Sequence, residues 1–183
     1  MKSKFALRQF VLVLFAVLGA MAVANYDKLL PRRWATHTAP DNTFSIELPG
    51  KPATETTQAP GKEGGLKTVY MVSANPTTTT FYSCAYFDED TTDKRSSDEI
   101  LASARDGSLA NIQGTLKGET KIRVDGHPGL EIQANARGNS LFDSRLILAG
   151  KRLYMISAVA TAPQERDPKT VQRVMTSFKI LRD

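Results

Sequence analysis

The 183-residue chain has one cysteine, Cys84, and two histidines, His37 and His127. A single thiol excludes an intramolecular disulfide framework and any thiolate-rich zinc or iron–sulfur site. Two imidazoles nearly exclude a histidine-dependent metal site, and the sequence carries no motif of catalysis. No apolar run reaches the roughly 20 residues of a permanent membrane span. Repeats and low-complexity tracts are absent as well. What remains is 41% apolar, 23% charged and 8% aromatic, the ordinary mix of one globular domain. Disordered tails, collagen-like fibres and multi-span membrane proteins are ruled out.

The first 24 residues stand apart. Lys2, Lys4 and Arg8 form a basic start, Phe10 to Ala24 has no charged or polar side chain, and Ala22-Val23-Ala24 ends the run with small residues. These are the three parts of a secretory signal, with cleavage before Asn25. As a helix the run measures about 22 Å, short for a bilayer span. That length favours removal; the alternative is an uncleaved anchor extended by Phe5, Ala6 and Leu7. Both readings put the rest of the chain outside the cytoplasm, periplasmic or extracellular. No cysteine follows the run, so it is not a lipoprotein signal. Net charge is +5, but without those three basic residues 21 basic side chains face 19 acidic ones, leaving +2. No basic run interleaved with aromatics is left, so a nucleic-acid partner is not expected.

Residues 25–33 read as a linker, and 34–183 as a single domain. Phe44 to Leu48 alternates apolar and polar as a half-buried strand does, and Pro49-Gly50-Lys51-Pro52 stops it. Thr54 to Thr57 suggests a short edge strand, and Gln58 to Gly65 a loop. Leu66 to Ala74 and Thr79 to Asp88 read as strands around Asn75-Pro76. The second places Phe81, Ala85 and Phe87 on one face and Tyr82, Cys84 and Tyr86 on the other, as expected of a central strand covered on both sides. Ser96-Ser97-Asp98-Glu99 has the form of a capping box. Behind it, Ile100, Leu101, Ala104, Ser108 and Ile112 make one helical stripe, with Gly114 as the stop.

The last third is a meander of four antiparallel strands. Lys117 to Val124, Leu130 to Arg137, Leu141 to Ala149 and Leu153 to Ala160 are separated by Asp125 to Gly129, Gly138-Asn139 and Gly150-Lys151. Asp167 with Pro168 then starts a closing helix, with Val171, Val174, Met175 and Phe178 on its buried face. The fold class is α+β: helices packed on a mainly antiparallel sheet.

Phe44 to Pro52, then Asp125-Gly126-His127-Pro128-Gly129-Leu130-Glu131, Leu153-Tyr154 and Ser177-Phe178-Lys179 resemble exported bacterial proteins of the PsbP-like superfamily, over about Trp34 to Leu181. The resemblance implies a central antiparallel sheet between helices, an α/β/α sandwich. It also implies an accessory or assembly role without catalytic residues or a cofactor, and supplies no metal site.

Candidate chemistry is thin. Cys84 with His127 and Asp125 or Asp143 has the residue types of a thiol nucleophile set. Yet Cys84 lies mid-strand, where a small thiol is a common filler, and His127 sits in a turn. An intermolecular disulfide through Cys84 is open in an oxidising compartment. Glu131 and Asp143 are candidate paired carboxylates, but the basic residues around them read as a cross-strand charge ladder. Four acidic residues in Asp88 to Asp93 lack the glycine and final glutamate of a calcium loop, which leaves a solvated loop. The favoured site is a recognition surface of Lys121, Arg123, Gln133, Arg137, Arg145 and Tyr154 on an uncovered sheet face, meeting a protein or envelope component. The alternative is an apolar small-ligand pocket between sheet and helix, lined by Phe81, Tyr82, Tyr86 and Tyr154.

Overall fold

The computed structural model describes residues 33–60, 66–89 and 94–182. The segment expected to direct export, the linker expected before Arg33, and parts of the two polar loops (61–65 and 90–93) lie outside the described residues.

The first strands are β1 (Trp34–Thr38), β2 (Phe44–Pro49), β3 (Ala53–Pro60), β4 (Leu66–Ala74) and β5 (Thr80–Asp88). Helix α1 (Ser97–Asn111) leads to the meander β6 (Thr115–Val124), β7 (His127–Ala136), β8 (Ser140–Ala149) and β9 (Arg152–Ala160). Helix α2 (Pro168–Ser177) and a short β10 (Lys179–Ile180) close the described chain. Seven strands form one antiparallel sheet in the order β3-β4-β5-β9-β8-β7-β6, and β1-β2-β10 form a second.

Local chemistry sets the helix starts. Ser96 Oγ accepts from Glu99 N at 3.3 Å while Glu99 Oε2 accepts from Ser96 N at 2.8 Å, the reciprocal box read from the sequence. Asp167 accepts from Lys169 N at 3.0 Å ahead of Pro168. Among the described residues, no helix is long and apolar enough to cross a membrane.

Each face of the large sheet has its own cover. On one, Phe44, Ile46 and Leu48 of β2 pack with Val174, Met175 and Phe178 over Tyr86, Tyr154 and Ile156. On the other, Ile100 and Leu101 of α1 pack on Leu130, Ile132, Leu146 and Leu148. A fully buried side chain of this kind contributes roughly 1.5–3 kcal/mol.

Three expectations change. The sheet is not simply sandwiched between helices: each face carries one helix, and on one face a second sheet supplies much of the cover. The small sheet was not foreseen because β10, only two residues long, pairs with β2 far back in the chain. Thr54 to Thr57 is the middle of an eight-residue edge strand. The third change concerns the turn read as Asp125 to Gly129, which is only Asp125-Gly126: Val124 pairs with His127. Positive φ at both turn residues, 49° and 88°, is the left-handed pair that a two-residue hairpin needs.

Candidate functional site

That tight turn decides the fate of the expected basic surface. Pairing Val124 with His127 places Lys121 opposite Leu130 and Arg123 opposite Pro128. Paired residues share a face. Lys121 and Arg123 therefore lie on the side covered by α1, whereas Gln133 and Arg145 lie on the side of α2 with their partners Asp143 and Glu131. Arg137 sits beyond β7 in the connection to β8. Tyr154 is 1% exposed, inside the aromatic cluster under β2. The six residues do not form one surface.

Several of their charges are already matched. Lys121 meets Asp98 of α1 at 2.7 Å. Arg145 meets Glu131 at 2.7 Å and donates to the Met175 carbonyl at 3.1 Å. Arg123 donates to the Gly126 carbonyl at 2.7 Å. Asp143 takes both forks of Arg166, each at 2.8 Å. Glu131 and Asp143 thus each hold their own arginine, a geometry of charge pairing rather than of acid–base work.

Cys84 is fully buried on β5, and burial pushes its thiol well above the usual range, away from the reactive thiolate. β7, with His127 at its start, lies three strand steps away, roughly 14 Å across the sheet. Asp125 accepts from Ile180 N at 2.9 Å. The residues of the thiol set are not assembled. Among the described residues no group of three His, Cys, Asp or Glu side chains has the spacing of a metal site.

What the structure does build is a groove. Helix α1 packs against β7 and β8, and on its side the sheet continues through β9, β5 and β4. The floor there is Met71, Phe81, Ala85, Met155 and Val159; Ile112 and Phe142 close one end, and Ser108 and Asn111 form the helix wall. The groove is shallow, with a cavity of about 40 Å³ that opens to solvent along one side. No charged residue lines it.

Phe81 belongs to this groove as expected, but Tyr82, Tyr86 and Tyr154 do not. They lie on the opposite face, buried beneath β2 and α2. Strand alternation separates Phe81 from Tyr82 and Tyr86, and α1 covers the Phe81 side. The same alternation identifies Ser83 and Ala85 as groove residues. Nothing in the sequence indicates how far the sheet extends past the helix.

No family model matches the sequence, and no curated protein does. In structure the chain is similar to cyanobacterial PsbP (CyanoP) from Synechocystis sp. PCC 6803. The match covers 86% of this chain and 98% of that one, at 11% identity and a TM-score of 0.53. A protein of unknown function from Pseudomonas aeruginosa matches 72% of this chain and 85% of its own at 9% identity, with a TM-score of 0.41, too low to argue from. Strand order, the two covers and the first of these matches lead to one conclusion: this chain has a PsbP-like fold.

Proposed function

We propose that the protein is an exported, non-enzymatic binding domain that takes an apolar part of a cell-envelope molecule in the groove between α1 and the sheet. The observation that carries this reading is the groove itself: apolar walls, no charge, and an open side beside a helix. Ligand sites are concave and mostly apolar, with a few polar groups that fix orientation. The buried thiol, the individually paired carboxylates and the separation of Cys84 from His127 favour binding over catalysis. Export rests on the basic start, the apolar run and Ala22-Val23-Ala24. The membrane is engaged only through that segment, and only if it stays uncleaved.

Titration with 1,6-diphenylhexatriene tests the groove. The purified protein is expected to give saturable fluorescence enhancement. Asn111→Trp, at the half-buried end of α1 rather than in the core, is expected to abolish it with the circular dichroism spectrum unchanged. Absence of saturation, or an undiminished signal in Asn111→Trp, overturns the reading. Export is tested by intact mass and cell fractionation, with a chain starting at Asn25 expected outside the cytoplasm. Full-length soluble protein in the cytosol defeats it.

A further inference from the structure

The large sheet ends at β3 on one side and β6 on the other, and the two edges are built differently. β6 carries the devices that keep an edge from pairing. Its register slips at a bulge between Leu116 and Gly118, and Lys117, Glu119, Lys121 and Arg123 set four charges along it. On β3, eight residues pair with β4 without a slip, from Ala53 opposite Ser73 to Pro60 opposite Leu66. Glu55 is the one charge among them, and three threonines favour extended backbone. Thr54, Thr56 and Gln58 are exposed. Such a strand offers its outer N–H and C=O groups to another strand.

The sequence of β3 is its own complement. Opposed residues in an antiparallel ladder share one bonding type, and the type alternates along each strand, so a two-fold axis must set one residue opposite itself. With Thr56 on the axis, Ala53 faces Ala59 of the second copy and Thr54 faces Gln58. Glu55 faces Thr57, whose hydroxyl can donate to the carboxylate. Pro52 faces Pro60, so the two residues without an N–H bound the ladder and neither lies within it. An axis through Glu55 would oppose two carboxylates, and one through Thr57 would bring Pro60 inside the ladder, opposite Thr54.

We infer that the protein pairs with a second copy of itself through β3, antiparallel about Thr56, making one continuous sheet across the dimer. Each copy spends its open edge on the other, and the guarded β6 edges stop growth at two. The axis stands normal to the sheet, so both α1 faces lie on the same side of the dimer.

Sedimentation equilibrium tests the pairing, and the purified protein is expected to show a reversible monomer–dimer equilibrium. Thr56→Lys sets two ammonium groups face to face on the axis and is expected to raise the dimer dissociation constant about tenfold. Thr56→Glu alone is expected to do the same. An equimolar mixture of the two variants opposes lysine to glutamate and is expected to recover the wild-type dimer. Because Thr56 is exposed, neither substitution reaches the core. A wild-type protein that stays monomeric overturns the proposal, whether the edge is left bare or taken by a strand of another protein. So does a dimer that Thr56→Lys leaves unweakened, which must use another surface. A mixture no more dimeric than its components overturns it as well.

Discussion

Both faces of the large sheet bury apolar side chains, but they pack them differently. Under β2 and α2 the rings interlock: Phe44 lies 5.4 Å from Tyr86, 5.7 Å from Tyr154 and 5.7 Å from Phe178, measured between centroids. Arg152 then spans the join, reaching Asp88 and Asp41 at 2.8 Å each and standing 4.7 Å from the Tyr86 ring. Burial, with a smaller push from Asp41, raises the Tyr86 phenol to about 12, so it stays neutral in any ordinary buffer. On the α1 face the ion pairs sit at the β6 edge, where Arg105 meets Glu119 and Lys121 meets Asp98 at 2.7 Å each. A single helix is about 10 Å across, whereas the sheet of seven strands spans roughly 30 Å, so one helix leaves part of that face uncovered. A second sheet plus a helix closes a face; a helix alone leaves a groove.

Truncating one phenylalanine on each face puts this contrast at risk most directly. Phe44→Ala, at 1% exposure, is expected to cost about 4 kcal/mol in urea unfolding. Phe81→Ala, half-buried over an open groove, is expected to cost about 1 kcal/mol. Equal losses would mean that the groove is as tightly packed as the aromatic cluster.

Acid probes the clamp. At Asp88 the Arg152 hydrogen bond outweighs burial and lowers the carboxyl below its ordinary 3.8. At Asp41 burial pushes upward, but hydrogen bonds from Thr43 and Arg152 together prevail and the carboxyl is also lowered. A lowered carboxylate stabilises the fold above its unfolded value, and that stability is lost as pH falls through the folded value. Arg152→Gln is therefore expected to melt below wild type at pH 7, with the gap closing below about pH 4. A gap of equal size at pH 7 and pH 2.5 would show that packing of the arginine stem, not its charge, joins the sheets.

The smallest effect belongs to the α1 rim. Lys121 and Asp98 are 73% and 67% exposed, so solvent screens their 2.7 Å pair. Lys121→Ala is expected to shift stability by less than about 0.5 kcal/mol in the same urea assay. A larger loss would mean that this exposed pair fastens α1 as firmly as Arg152 fastens the other face.

Most elements were legible because each carries its own signal. The Ser96–Glu99 box, the Asp167-Pro168 start and the alternation of β5 all follow from residues within a few positions of one another. The small sheet was not legible, since two residues at Lys179–Ile180 have no periodicity to read. The recognition surface failed at an intermediate scale. Alternation within β6 and within β7 is plain in the sequence, but their relative phase is set by the two-residue turn Asp125-Gly126. Asp-Gly flanked by alternating apolar residues is a strong short-range signal for such a hairpin. The groove was half legible: alternation placed Phe81 and Ala85 on one face, but no local pattern places α1 over β7 and β8.

The pairing of Ser45 with Lys179 also orders events in time. As the chain is synthesised, Ser45 of β2 appears 134 residues before its partner Lys179 in β10. The meander between them zips locally through short connections, whereas long-range closure is slow. For that interval Phe44 lacks the ring of Phe178 that later stacks on it at 27°. An unpaired strand edge beside uncovered aromatics is a hazard in a crowded compartment. The vulnerable stage in the life of this protein is thus the short wait for its final strand.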